Sequence, residues 1–486
     1  MQKIATVLKL LLPRLDAAIF IMLFFSALTL GPRMLNIDGD LGRHITIGNY
    51  ILHNLKIPTW DIFSHTMTGQ RIIPHEWLAQ LIFGIIQTFL GLNGVVLLIA
   101  TLIAITFTLT YRELLRRNIF RILIIFITLL AAYASSLHWL TRPHIFTFLF
   151  VAMWAYLLEN EKSRIWLFPL IMVIWANTHG AFIAGFVIWA GHMAGWLWDY
   201  LHNQDTKEKG AKLALIGVLS LAVTFINPAG WRLWETSVGY LGNHFLVDKT
   251  IEYQSPNFHD PSAWPFLMML ALGIIALGLG GRLRPHESIL FTGWTIMSLY
   301  SARNIPLFAI ITAPYIGAAI QPIIEKVPIL QRVDQSISRV EYNIRGGIFS
   351  WLAIILLIMA SQSQLDATAN QFNSNIFPVQ AADWLQANPQ QGKMFNNFVW
   401  GGYILYRLWP EQTVFIDGQT DFYGESLARE YTKVIALNEG WEATLKKYGV
   451  SWVILPSNEP LIKALQDGLG WIIVYQDDTT AIVHEP

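Results

Sequence analysis

The sequence predicts a polytopic α-helical membrane protein of about eleven transmembrane helices, followed by a small C-terminal α/β domain. Three observations carry this. Of 486 residues, 54% are hydrophobic and only 14% charged, with a mean hydropathy of +0.43; a soluble domain carries roughly a quarter charged residues. Apolar runs of about 17 to 25 residues, long enough to cross a hydrocarbon core, recur up to position 361. Beyond Ser361 the composition turns polar, then alternates short apolar runs with helical patterns.

Taken in order, the candidate spans cover residues 15–35, 92–111, 120–138, 144–159, 165–178, 181–198, 212–227, 263–280, 287–301, 304–320 and 347–361. The first follows Lys3, Lys9 and Arg14 and lacks a small-residue cleavage pattern, so it reads as a retained span. Alternate loops hold the basic residues: Arg112, Arg116, Arg117 and Arg121; Lys162 and Arg164; Lys207, Lys209 and Lys212; Arg282 and Arg284; Lys326, Arg332, Arg339 and Arg345. That asymmetry predicts a cytoplasmic N-terminus.

The intervening loops are poor in Lys and Arg but chemically varied. They carry the Asp38–Glu76 segment, then His138, Arg142 and His144, then Asn177 and His179. Asn227, Glu252, His259 and Asp260 follow, and finally Arg303 and Asn304. Chemistry is therefore expected on the extracytoplasmic face, in external loops 36–91 and 228–262. Within the first loop, Ile45, Ile47, Tyr50, Ile51 and Leu55 predict an amphipathic helix along the interface. Trp77, Leu78, Leu81, Ile82, Ile85 and Ile86 predict a second, ending at Gly91. Pro143, Pro228 and Pro306 read as points where the chain re-enters the membrane. Ile329, Val333, Ile337 and Val340 predict a surface-lying helix in the cytoplasmic segment 322–346.

The domain plan is a membrane domain over 1–361, a Ser/Gln/Asn-rich linker over 362–380, and an extracytoplasmic α/β domain over 381–486. In that last domain Ala381–Gln386, Glu425–Leu437 and Trp441–Lys447 read as helices. Lys393–Asn396, Thr413–Ile416, Val450–Leu455, Trp471–Tyr475 and Thr480–His484 read as strands.

Several function classes drop out. Thirty-three basic and thirty-three acidic residues give no net charge to attract nucleic acid. Without cysteine there is no thiolate catalysis, disulfide or Cys-ligated zinc. A Gly-rich nucleotide fingerprint and an HExxH motif are also missing.

What remains is concentrated in the first loop, where Asp38, Asp40, Arg43, His44, Asp61, His65, His75 and Glu76 lie close together in sequence. Asp38-Gly39-Asp40 read alone is a common turn sequence. Placed after the first span and heading an amphipathic segment, the two carboxylates suit a general base, a sugar-hydroxyl acceptor or a hard-cation ligand. Asp38, Asp40 and His44 would then be the ligands of a divalent metal. Asp40 is favoured as base: a helix N-terminus there would keep it ionised.

These residues and this layout resemble the GT-C superfamily of integral-membrane glycosyltransferases, nearest the bacterial branch of protein O-mannosyltransferase-like and aminoarabinose transferase-like enzymes. Asn397-Phe398-Val399-Trp400-Gly401-Gly402-Tyr403 and Asp417-Gly418-Gln419-Thr420-Asp421 resemble the tail domain of uncharacterised bacterial GT-C-like proteins. The resemblance implies a bacterial inner-membrane enzyme moving a sugar from a polyprenyl-phosphate donor to a hydroxyl on a glycan, lipid or protein, with inversion. It implies Asp40 or Asp38 as catalytic residue, with Arg303 and Arg142 near the leaving phosphate. His44, His75, Glu76, His144, His179 and Asn304 complete the expected substrate-binding set.

Two other classes compete. A transporter or flippase of lipid-linked sugar would place ionisable residues at mid-span depth, whereas here they cluster at span ends. An inactive GT-C-like glycan-binding protein would share every feature above except turnover.

Overall fold

The computed structural model describes residues 13–160, 162–239, 250–344 and 370–486, with a few further positions between 351 and 358. The N-terminal part is a helical bundle. Its helices are α1 (Leu15–Thr29), α2 (Gly31–Asn36), α3 (Asp40–Asn54), α4 (Trp77–Arg116), α5 (Arg121–Ser135), α6 (His144–Leu158) and α7 (Leu167–Thr178). They continue with α8 (Ile183–Leu201), α9 (Lys207–Thr224), α10 (Arg232–Gly239), α11 (Trp264–Gly278), α12 (Pro285–Tyr300), α13 (Ile305–Ile324) and α14 (Pro328–Asn343).

Among the described residues, five stretches are long and apolar enough to cross a membrane: Trp77–Arg116, Arg121–His138, Gly180–Leu201, Pro261–Gly278 and Ala302–Ile324. Helices α1, α6 and α7 are apolar but shorter. Helices also form over expected spans 212–227 and 287–301, as α9 and α12. The expected span 347–361 lies largely outside the described residues.

Some local expectations hold and others change. The helix predicted to end at Gly91 is a distinct piece: α4 consists of two helices that meet at a kink there, where Gly91 leaves helical geometry (φ 63°). No side chain would crowd a Cβ there, so the requirement for glycine is one of backbone conformation. Pro143 and Pro306 stand at the starts of α6 and α13, but Pro228 lies in the turn leaving α9. Helix α3 does not lie open along an interface. Ile45, Ile47 and Ile51 are buried against protein, and Leu55 is 87% exposed at the helix end.

The C-terminal part contains α15 (Val379–Ala387), β1 (Lys393–Asn396), α16 (Gly401–Leu408), α17 (Thr420–Ile435), α18 (Trp441–Tyr448), β2 (Val450–Pro456), α19 (Pro460–Leu469), β3 (Ile472–Gln476) and β4 (Thr480–His484). The sheet order is β1-β2-β4-β3, with β1 parallel to β2 and the other neighbours antiparallel. Thr413–Ile416 is not a strand. Val414 instead bridges Ser64 of the first loop, exchanging bonds with Phe63 and His65.

Alternation along β2 sends Trp452 and Ile454 to one apolar cluster and Val453 and Leu455 to another. The first cluster is continuous with the bundle, through Phe372, Phe377, Trp400 and Tyr403. The described end of the polar stretch is therefore packed: Asn370 donates to Asn93, and Phe372 stacks edge-on against Phe377 and Tyr403.

Helix α3 is held on two sides without side-chain cushioning. A Cβ on Gly48 would strike the Gln80 carbonyl of α4, and one on Gly42 the Gly402 carbonyl of α16. Backbones approach this closely only where glycine removes the side chain.

Candidate active site

At the head of α3 the Asp38 carboxylate accepts from the Asp40 amide (3.1 Å), so the Asp-Gly-Asp turn is real and opens the helix. Arg142 reaches this turn from the short connection between α5 and α6. Its Nε lies 2.9 Å from Asp38 and its Nη2 2.5 Å from Asp40, so one guanidinium clamps both carboxylates. Asp40 is the first residue of α3, as expected, yet the helix terminus does not keep it strongly acidic. Burial pushes its carboxyl up to about 7; Arg142 opposes the rise, and Asp38 and Asp417 add to it.

Three residues further on, Arg43 turns towards the C-terminal domain. Its Nε lies 3.0 Å from Asp417, and its Nη2 donates to the Gln419 side chain. Asp417 also accepts from the Gln419 amide (2.9 Å) and from the Tyr423 hydroxyl (3.1 Å). Gly418 lies directly against the Asp40 carboxylate.

A second group surrounds Glu76, just before α4. Nitrogens of His44, His75 and His179 lie 3.8, 3.9 and 3.7 Å from its carboxylate oxygens. Burial raises the Glu76 carboxyl above its ordinary range, and it pushes the His44 and His179 imidazoles well below theirs. The result is a half-buried carboxyl beside the His44 and His179 imidazoles, which burial disposes to the neutral form, an arrangement suited to passing protons. His144 stands beside His179, its Nε2 2.8 Å from the His138 carbonyl. A narrow cleft opens here, lined by Arg43, His75, Glu76, Gln80 and Gln419 among others.

The third group lies where loop 250–263 meets the turn before α13. Arg303 is 3.1 Å from Glu252 and bonds the Tyr253 hydroxyl. Burial would raise Glu252, but Arg303 and Arg142 pull it down to about 2. Asn304 precedes α13 without capping it, and its side chain donates to the Met297 carbonyl (3.1 Å). His138 meets the Ala302 carbonyl, while Trp77, Asn177 and Asn227 join in one hydrogen-bonded chain. Asp61 and His65 take other work. Asp61 accepts from Phe63 and Ser64 inside its own turn, and His65 bonds the Met394 carbonyl of β1.

The arrangement does not suit a divalent cation between Asp38 and Asp40, because the Arg142 guanidinium already fills that place with positive charge. His44 faces Glu76 and Gln80 instead of the aspartate pair. Local sequence reading missed the roles of Arg43, Asp417, Gly418 and Gln419. The glycine doublet Gly401-Gly402 and the second Asp-Gly pair at 417–418 were the available signals for two close backbone approaches.

Neither a protein-family model nor a curated protein matches the chain. Solved structures do. The Archaeoglobus fulgidus oligosaccharyltransferase in its apo form is 12% identical with a TM-score of 0.62, over 91% of this chain and 69% of that one. ArnT from Cupriavidus metallidurans bound to undecaprenyl phosphate is 12% identical with a TM-score of 0.51, over 96% of this chain and 97% of that one. At such identities the likeness is one of fold, and the chain is a multi-pass helical membrane protein with the GT-C fold.

Proposed function

We propose that this protein is a membrane glycosyltransferase that moves a sugar from a polyprenyl-phosphate donor to a hydroxyl acceptor, with Asp40 as general base. The observation that carries this reading is the Asp38–Arg142–Asp40 clamp at the head of α3, beside the Glu76 cleft. A carboxyl poised at about 7 is well matched to taking a proton near neutral pH. The fold adds support, since AglB from Archaeoglobus fulgidus was solved with an inhibitory peptide and a dolichol-phosphate, and ArnT with undecaprenyl phosphate.

In the reaction, the acceptor oxygen attacks the anomeric carbon and gives its proton to Asp40 as the new C–O bond forms. The C–O bond to phosphate breaks on the opposite side, inverting the centre, and its electron pair leaves with the polyprenyl phosphate. Arg303, with Arg142, stabilises that phosphate. Asp38 holds Arg142 and the turn. His75 and Glu76 line the cleft, His44 and His179 stand against Glu76, and these four with His144 and Asn304 bind substrate.

The same reading sets the chain in a bacterial inner membrane with about eleven spans, a cytoplasmic N-terminus and domain 381–486 outside. A cysteine placed at Ser426 should label in intact cells; labelling only after lysis would reverse the orientation.

The decisive test offers a panel of undecaprenyl-phosphate-linked sugars and measures transfer by wild type, Asp38→Asn and Asp40→Asn. At least one variant should lose about 10²–10⁴-fold in turnover while remaining folded. Near wild-type transfer by both would reduce the turn to a structural feature.

A further inference from the structure

We propose that the Asp417–Asp421 turn of the C-terminal domain belongs to the active site, with Asp417 acting through Arg43, and Gly418 by direct contact, as positioning residues for Asp40. The inference rests on the reading of Asp40 as base.

Docking alone does not explain these contacts. The C-terminal domain is already joined to the bundle by the apolar cluster of Phe372, Phe377, Trp400 and Tyr403, and by the approach of Gly402 to α3. Yet the chain also buries a full ion pair. Arg43 is 4% exposed and Asp417 0%, joined at 3.0 Å across 374 residues of sequence. Buried pairs of this kind repay their desolvation poorly, and an apolar pair of similar size often stabilises as well or better. An arrangement selected only for adhesion would not need one.

Its geometry gives the pair a use. Arg43 lies one helical turn beyond Asp40, so fixing its guanidinium fixes the first turn of α3. Asp417 is itself locked by the Gln419 amide and the Tyr423 hydroxyl. The next residue, Gly418, packs its backbone where any side chain would displace the Asp40 carboxylate. The charges facing that carboxylate come from three elements: Asp38 and Arg43 on the first loop, Arg142 between α5 and α6, and Asp417 on the C-terminal domain. Asp417 thus both holds Asp40 in place and adds negative charge beside it.

The test uses the full chain in detergent and compares Gly418→Ala, Asp417→Asn and Asp40→Asn with Gly468→Ala, an exposed control whose Cβ would meet nothing. Asp40 ionisation is read by infrared difference spectroscopy against pH, with the Asp40→Asn spectrum subtracted, so no substrate is needed. Turnover and donor KM are then measured with a sugar donor that the wild type uses. Asp417→Asn removes a negative neighbour and should move the Asp40 midpoint to lower pH. Gly418→Ala should cut turnover by about 10²-fold, with donor KM within about twofold, because a displaced base costs that much. If Gly418→Ala does not fold, the neutral pair Arg43→Gln with Asp417→Asn takes its place. An unmoved midpoint together with wild-type turnover in folded variants would overturn the proposal, provided Asp40→Asn is inactive. An active Asp40→Asn would instead remove the base itself, and this proposal with it.

Discussion

The bundle has two charged ends, and they are built differently. At the end away from the site, Arg117 reaches Glu113, Glu159 and Glu287, and Arg284 joins Glu159 and Glu287. Arg112 pairs with Asp16, and Arg121 with Asp334 and Glu341. His192 and His286 stack at 4.5 Å, with His286 3.1 Å from Glu159. The acids there are shared among guanidinium groups from different helices, which ties helices together. At the site end, Arg43 is committed to Asp417, and Arg142 must serve both Asp38 and Asp40. Among the described residues, the basic groups within 4 Å of the Glu76 carboxylate are the imidazoles of His44, His75 and His179. The lesson is that mutual neutralisation makes a brace, whereas carboxyls left under-compensated in a buried setting can give and take protons.

The sharpest way to break this contrast is to remove one carboxylate from each end. Asp40→Asn should cost about 10²–10⁴-fold in turnover and little stability. Glu159→Gln should do the reverse. With Arg117 and His286 left facing a neutral amide, it should lose about 3–5 kcal/mol, read by thermal or denaturant unfolding, with turnover per folded molecule unchanged. Equal effects on both readouts in both variants would erase the distinction.

A smaller effect concerns pH. A base must be deprotonated to work, so turnover should rise with pH through about 7, following Asp40, and level off above it. A profile flat from pH 5.5 to 8.5, roughly the range spanning that value, would mean that another group takes the proton.

The smallest expected effect is none. With Arg142 filling the space between Asp38 and Asp40, treatment with EDTA should leave turnover within about twofold, and added Mg²⁺ or Mn²⁺ should not raise it. A loss restored by either ion would show that a cation displaces the guanidinium during the reaction.

Much of this plan could be read from residue order. Helix positions followed from apolar run length, whereas residue order placed His44, His75, Glu76 and His179 on one face without indicating that the three imidazoles gather around Glu76. Arg142 was expected beside a phosphate and is found clamping the aspartates, because a guanidinium in a buried site first satisfies the nearest fixed anions. Thr413–Ile416 has the β-rich composition of a strand, but its partner is Ser64, a single bridge hundreds of residues away. Periodicity reports which face of an element is buried, not what buries it. For that reason Asp417, which the sequence marks only as part of the segment resembling a GT-C tail domain, gives no sign there of its position against Arg43.

The seating of α3 between Gly48 and Gly84 on one side and Gly42 and Gly402 on the other has a consequence for biogenesis. A chain is made from its N-terminus, so α3 and its Asp40 leave the ribosome long before α16 exists. Until residues 401–419 arrive and fold, Arg43 has no Asp417 and the aspartate turn no far wall. The proposed site is thus assembled in an order that completes it last. A chain cut short anywhere before that point would carry Asp38 and Asp40 into the membrane without the frame that holds them.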